Sequence, residues 1–461
     1  QPAKSGKPVD FLLGSFYFKQ LKNRNFYQVW VRILAELSLA YGKGFVNLQL
    51  PSRQILDILQ PGVLQSEPLP AEARIEKELD AALASLQDSP AILQNKQTVL
   101  VVPDRTRNCG ASLILPALVR RLQDLGVQDS EIEIIVANGA HRANEPEEIA
   151  SIVGAEMVRR FRIVQHGCRH TPGLRFLGET RFGTPVSLNA HILDAEQVVV
   201  VGTAVHHYFA GFGGGPKMIN PGCAAYETIT KNHALTIDVQ TANLHPLCRP
   251  GVLEGNPVQE DIKDAMKFVD VDLLIETVLA PKGEIAAVFC GELYPAHRNA
   301  CLCVDAMYRI EIQEHADLVV ASCGGFPKDI NLIQSHKTIY NAFQAVKPGG
   351  VLLVLAECSQ GIGSPTFLEW FDYPGARAMA DELVQSYKLN GTTALSLRTK
   401  AETVRIVLVS QLKAELVTKL GILPASHLED GWRQSMSFLP EEFRCYVIPN
   451  ASVTHPVLST G

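Results

Sequence analysis

The sequence predicts an α/β protein built of two α/β domains with largely parallel sheets, on three observations. Short runs rich in Val, Ile and Leu recur without the polar alternation of a half-exposed strand, as expected of strands buried on both faces. Helical apolar patterns fall between them, the alternation that right-handed crossovers produce. Polar side chains able to do chemistry gather just after the runs, at one edge of the expected sheets, and open parallel sheets bind ligands beyond the carboxyl ends of their strands. The 461 residues allow two or three domains at roughly 150 residues each.

The strand candidates are 98–103 (TVLVVP), 132–137 (IEIIVA), 197–202 (QVVVVG), 273–279 (LLIETVL), 317–321 (DLVVA), 350–355 (GVLLVL) and 404–409 (VRIVLV). Helical patterns occupy 71–87, 110–125, 223–233, 257–268, 295–309, 331–346 and 375–388. Gly126 stands where a helix-ending glycine belongs, and Asn144 with Glu147 reads as a cap for the following helix. Gly and Thr crowd residues 166–190, which read as hairpins. The 281–296 stretch (PKGEIAAVFCGELYPA) reads as the domain junction, and 422–445 as irregular chain packed on the body.

Composition narrows the function. Apolar residues make up 46 % and charged residues 20 %, and the net charge is −6. A mildly acidic chain without a dense Lys/Arg run is poorly suited to nucleic acid or a membrane surface, which leaves a small molecule as the expected partner. Residues 26–40 are the most apolar stretch, but Gln28, Arg32 and Glu36 interrupt it, and no signal-peptide pattern is present. Ten scattered Cys without a C-x-x-C pair read as reduced thiols of a cytoplasmic protein.

The residues after each strand carry the chemistry. Asp104 and Arg107 follow the first run. They read either as a cap with a surface ion pair, or as a clamp in which Arg107 holds a carboxylate or phosphate and Asp104 accepts hydroxyl hydrogen bonds. His141 follows the second run and His207 the third, with His233 beyond it; imidazoles beside strand ends are candidate acid/bases or metal ligands, although a lone His is usually structural. Their spacing does not match a helical zinc motif. Gly211, Gly213, Gly214 and Gly215 lead into Lys217, a loop that lets backbone approach a ligand closely or forms a plain turn with a solvated Lys. Pro216 rules out both a P-loop and a dinucleotide fingerprint. Gln334 and Lys337 share a helical face, either solvated or reaching across a cleft. His166, His170, His191, His245 and His297 lack such company and read as structural.

These segments resemble the nickel-dependent lactate racemase family. The run H-x-x-A-G-F-x-G-G-x-K-x-x-x-P-G from His207, continuing to His233, carries the likeness. Asp104-x-Thr106-Arg107, Gly139-x-His141-Arg142, Gly325-x-Pro327-Lys328-Asp329-x-Asn331 and Gln334-Ser335-x-Lys337 follow the family's order, from about residue 100 to 360 and, with Tyr41-Gly42 and Pro51, from about residue 40. The resemblance implies a nickel-pincer nucleotide (nickel on a pyridinium-3-thioamide-5-thiocarboxylic acid mononucleotide) bound covalently to Lys217, with His233 as nickel ligand. It implies His141 and His207 as the catalytic acid/base pair and Asp104, Arg107, Gly214 and Gly215 around the cofactor. Arg107, Gln334 and Lys337 would then contact substrate.

The implied activity is racemisation or epimerisation at C2 of a 2-hydroxy acid. The chemistry is coherent: the carbon beside a carboxylate is too weak an acid for an unaided imidazole, whereas the hydroxyl proton suits it. The C2 hydrogen would leave as hydride to the cofactor, and two bases on opposite sides would serve the two enantiomers. The expected organisation is an extension over 1–35, a cofactor-binding α/β domain over 36–288 and a second α/β domain over 289–461, with the site in the cleft between them and cofactor-biosynthesis proteins as transient partners. This chain departs from the family at Val205-His206-His207, Ile333 and Asn108, so His206 rivals His207 and an acid other than lactate is within the expectation. The rival functions are a Schiff-base lyase or aldolase using Lys217 as a free amine and a non-catalytic cofactor-binding protein.

Overall fold

The computed structural model describes residues 34–62, 69–86 and 96–459. Two six-stranded sheets organise the chain. In the first, the strand order is Ile285–Gly291, Leu273–Leu279, Gln197–Thr203, Thr98–Pro103, Ile132–Ala137, Arg162–Gln165, parallel throughout except for the antiparallel Ile285–Gly291 edge. The second runs Leu423–Ala425, Arg405–Val409, Val346–Leu355, Ala316–Ser322, Cys445–Ile448, Ile55–Ile58, all parallel.

All seven strand candidates lie in these sheets. Their apolar runs are buried on both faces: Val99, Val101, Ile135 and Val200 pack on one side of the first sheet, and Leu100, Val102, Ile134 and Val199 on the other. Each fully buried aliphatic side chain contributes about 1.5–3 kcal/mol. Two sheets covered on both faces are what continuous apolar runs demand. Helices form at all the patterned stretches, with the 257–268 pattern ending as a 3₁₀ turn, Met266–Phe268, after the helix Pro257–Ala265. The 166–190 stretch contains the hairpin Leu174–Glu179 with Pro185–Asn189.

Several expectations need correction. Glu145 caps the helix Pro146–Val153 in a capping box with Glu148, while Asn144 turns inward and donates from its side-chain amide to Asn138 Oδ1 at 2.8 Å. Its amide finds buried partners that a cap would forgo. The 422–445 stretch contains the edge strand Leu423–Ala425 and the helix Leu428–Met436. The 281–296 stretch, read as the domain junction, supplies the edge strand Ile285–Gly291, and the helix Leu293–Tyr308 then packs back on the first sheet through Ala296 and Leu293. Chain order also fails at the N-terminal side, where Ile55–Ile58 pairs with Cys445–Ile448 in the second sheet and Leu39, Leu48 and Leu50 of a hairpin join that sheet's core. Of the expected 1–35 extension, 1–33 lie outside the described residues, and Leu34 already belongs to that hairpin.

Strand order reverses direction between Thr98–Pro103 and Gln197–Thr203 in the first sheet, and between Ala316–Ser322 and Cys445–Ile448 in the second. At such switch points the segments leaving adjacent strands diverge and open a crevice. The segments leaving the first reversal carry Asp104, Arg107, His207 and Lys217.

Candidate active site

Asp104 leaves Thr98–Pro103 and His141 leaves the neighbouring strand Ile132–Ala137. His141 Nδ1 lies 2.7 Å from Asp104 Oδ2, with Asp104 buried and the imidazole half exposed. The Thr106 hydroxyl donates to Asp104 Oδ1 at 2.7 Å. Burial raises the Asp104 carboxyl, but His141, Thr106 and nearby Arg107 outweigh it and leave it below the usual carboxylate range. An ionised Asp104 therefore accepts from His141 Nδ1–H and leaves Nε2 with its lone pair free, the arrangement of an oriented base.

Gln197–Thr203 runs on into the short strand Val205–His207, paired with Gly211–Gly213. Alternation along a strand separates the two adjacent histidines. His206 Nε2 is 2.6 Å from Asp305 Oδ1 on the helix Leu293–Tyr308. His207 instead meets the ring of Phe209 at 4.4 Å, and Phe209 in turn lies 4.9 Å from the His233 ring and 5.6 Å from Lys217 Nζ. One aromatic side chain thus gathers three of the residues singled out in the sequence. His233 comes from the helix Tyr226–Ala234 and Lys217 from the 3₁₀ turn Gly215–Met218.

These groups act on one another electrostatically. His207 is held well below the ordinary imidazole value by burial, then by Lys217, Arg107, His233 and Lys337. Burial and Arg107 push Lys217 down to about 7. Burial, Arg107 and Lys328 do the same to Lys337, also to about 7. Burial and Lys217 take His233 to about 3. Lys337 and Gln334 lie on the helix Leu332–Phe343 that packs on the second sheet, Nζ and Oε1 3.2 Å apart, and Lys337 is near enough to lower His207, which follows the first sheet. Tyr208 ties the two halves together: its hydroxyl is 2.6 Å from Thr393 Oγ1, and its ring packs on His336 at 5.2 Å. Among the described residues, Arg107, Lys217 and Lys337 make no ion pair with a carboxylate. Asp104 acts on Arg107 from nearby without a direct ion pair, and the cluster holds more basic groups than carboxylates, a balance that suits an anionic ligand.

The glycines of the loop answer to the protein's own atoms. A Cβ on Gly211 would sit 2.1 Å from Val252 O, one on Gly214 1.9 Å from Glu276 Oε1, and one on Gly215 2.5 Å from the His297 ring. All three have positive φ. His297, read in the sequence as solitary, belongs to this packing, and Glu276 was overlooked. Its signal was a carboxylate in the middle of an otherwise apolar buried strand, LLIETVL. Tyr208 and Phe209 carried no signal beyond lying next to His207.

Asp329, within the Gly325-to-Asn331 motif, is buried and accepts from Gly42 N at 2.6 Å, and Asn331 caps the helix that bears Gln334 and Lys337. That motif builds the scaffold of the second half of the site.

The chain is similar to known proteins over most of its length. The lactate racemase N-terminal domain family matches residues 41–244 and the lactate racemase C-terminal domain family residues 312–454. The lactate racemase of Thermoanaerobacterium thermosaccharolyticum is 29 % identical over 339 residues, 73 % of this chain and 78 % of that protein. The lactate racemase of Lactiplantibacillus plantarum is 27 % identical over 335 residues, 72 % and 77 % of the two chains. The structure of the lactate racemase apoprotein from T. thermosaccharolyticum superposes with a TM-score of 0.82 at 25 % identity, covering 92 % of this chain and all of that one. A Thermotoga maritima protein shares the fold at a TM-score of 0.67 and 18 % identity. The chain carrying this crevice belongs to the lactate racemase family, a family of isomerases.

Proposed function

We propose that the protein is a racemase or epimerase that inverts the C2 centre of a 2-hydroxy acid, lactate or a related acid, with a nickel-pincer nucleotide as cofactor. The observation that carries this reading is the gathering of half-buried Arg107, Lys217, His207, His233 and Lys337 close enough to act on one another, with Asp104 the one carboxylate among the described residues that acts on Arg107. A nucleotide phosphate and a substrate carboxylate would supply the missing negative charge.

The residues present fit the cofactor. Lys217 offers a half-buried amine near neutrality, and His233 Nδ1 is a buried atom with no hydrogen-bond partner among the described residues. Among the described residues no group of three His, Cys, Asp or Glu side chains could hold a metal; a metal bound mainly by an organic group needs only one protein ligand. Lys217 would hold the nucleotide, His233 would supply the imidazole to its nickel, and Asp104, Arg107 and the Gly214–Gly215 turn would surround it. When bound, the group supplies a reversible acceptor for hydride from C2.

The chain's own residues handle the rest. Arg107 and Lys337 hold the substrate carboxylate, with Gln334 beside Lys337. His141, backed by Asp104, takes the hydroxyl proton at Nε2. His207 accepts from Ala210 N at Nδ1 over 3.3 Å, so its neutral ring carries a proton on Nε2 and donates to the substrate oxygen. The two rings thus start the cycle in opposite roles, one acceptor and one donor, and inversion requires each to serve the other enantiomer.

All ten cysteines are free thiols, and no helix among the described residues is long and apolar enough to cross a membrane. The free thiols fit a reducing cytoplasmic setting, where the cofactor's biosynthetic proteins would be transient partners. The test is a panel of enantiopure 2-hydroxy acids incubated with cofactor-loaded enzyme and resolved by chiral chromatography. Inversion of at least one acid supports the reading. No inversion, together with borohydride trapping of a carbonyl substrate on Lys217 in nickel-free protein, overturns it in favour of Schiff-base chemistry.

A further inference from the structure

The turn that carries Lys217 rests on a buried brace. Glu276 lies mid-strand in Leu273–Leu279, fully buried, and its Oε1 accepts from Gly215 N at 2.7 Å. Its other oxygen, Oε2, lies 2.7 Å from His297 Nδ1 on the helix Leu293–Tyr308. His297 is itself buried, with Cys301 Sγ 3.5 Å from its Nε2. The brace and the turn fit closely, since the Cβ positions of Gly214 and Gly215 are filled by Glu276 Oε1 and the His297 ring. Among the described residues, neither Glu276 nor His297 pairs with a Lys or Arg. A carboxylate in the middle of a sheet is costly unless every lone pair has work to do, and here the carboxylate holds the backbone N–H two residues before Lys217.

We propose that Glu276 and His297 are positioning residues: the carboxylate, oriented by the imidazole, fixes the Gly214–Gly215 turn and thereby aims the Lys217 amine into the crevice. The proposal rests on the reading of Lys217 as the group that anchors the cofactor, but the geometry it asserts is a property of the apoprotein. Glu276 touches neither substrate nor cofactor in this scheme and acts through Gly215.

The experiment labels the apoprotein at pH 9 with a small acylating reagent and reads modification of Lys217 by peptide mass, with buried Lys337 as internal standard. In Glu276→Ala the turn loosens, and the Lys217-to-Lys337 labelling ratio rises about tenfold, the scale set by one lost hydrogen bond. Glu276→Gln keeps an acceptor for Gly215 N, and His297 can change tautomer to accept from the new amide, so this variant restores the wild-type ratio. Should Glu276→Ala fail to fold, His297→Ala takes its place with the same expectation, since it frees the carboxylate to swing away. A ratio within about twofold of wild type in a folded Glu276→Ala or His297→Ala protein overturns the proposal, as does a Glu276→Gln protein that behaves like Glu276→Ala. Failure of the cofactor reading would show separately, as equal mass gain in wild type and Lys217→Ala after exposure to the cofactor's biosynthetic enzymes, and would leave the labelling ratios untouched.

Discussion

Asp104 Oδ2 and His141 Nδ1 lie 2.7 Å apart, a buried carboxylate behind a half-exposed imidazole. The carboxylate selects which imidazole nitrogen carries the proton and leaves the other as a base. Asp104→Asn keeps the shape and loses the selection, because the new amide can donate to the imidazole and favour the wrong tautomer. Isomerisation should fall by about a hundredfold or more, with the mass of the loaded protein unchanged. Chiral chromatography of the product and intact mass of the protein check the two halves of the expectation.

Lys217 carries the second prediction. Protein produced with the cofactor's biosynthetic enzymes should be heavier than Lys217→Ala by one modified mononucleotide. Lys217→Arg should match the alanine variant, since a guanidinium stays protonated and is a poor nucleophile. Intact mass spectrometry decides, and equal modification of wild type and Lys217→Ala removes the assignment.

The adjacent histidines should separate cleanly. His207→Ala should abolish inversion with little effect on stability, because His207 faces the crevice. His206→Ala should keep activity and lower stability by about 1 kcal/mol, since it removes a buried ring and its hydrogen bond to partly exposed Asp305. Thermal melts and kinetic assays of the two variants, side by side, check this.

Acidity should unfold the apoprotein in a defined window. His336 and His455 are buried and taken to about 3, His336 by burial, Lys400 and Lys337, and His455 by burial and His206. Their folded values lie below the unfolded one, so the unfolded chain binds more protons and stability falls as pH drops through about 6.5 toward 3. Lys400, taken to about 7 by burial, acts in the same direction at higher pH: stability should rise from pH 7 to about 8.5. Denaturant midpoints at pH 5, 7 and 8.5 should increase in that order, and a flat profile would count against these buried neutral bases.

Gly211→Ala should be among the most damaging single changes. Its Cβ would meet Val252 O at 2.1 Å, a backbone atom that cannot step aside, and its φ of +73° strains any L-residue. A loss of about 3 kcal/mol or more is expected, read as a lower melting temperature or as insoluble protein.

Much of the molecule was legible in the chain itself. Runs such as TVLVVP and QVVVVG announce strands because only a doubly covered sheet can bury them, and the residues just after them are the ones that reach the crevice. Asp104, His141 and His207 could be singled out for that reason, and Lys217 for the glycine-rich loop before it, with His233 on the helix beyond. Glu276 and His297 could not be paired in advance, because they stand 21 positions apart and meet only when the helix Leu293–Tyr308 folds back over its own sheet. The same limit hid the strand Ile55–Ile58, whose partner Cys445–Ile448 lies near the other end of the chain.

The sequence alone determined the α/β class, the strands and the side chains that could do chemistry, since these follow from local periodicity and from the residue types at strand ends. Tertiary structure decided which of two neighbouring histidines faces the crevice, which glycines yield to the protein's own atoms, and how Lys337 comes to oppose Arg107. Those choices depend on contacts between distant segments, and burial beside other basic groups is what lowers Lys217 and Lys337 to about 7 and keeps His207 and His233 neutral.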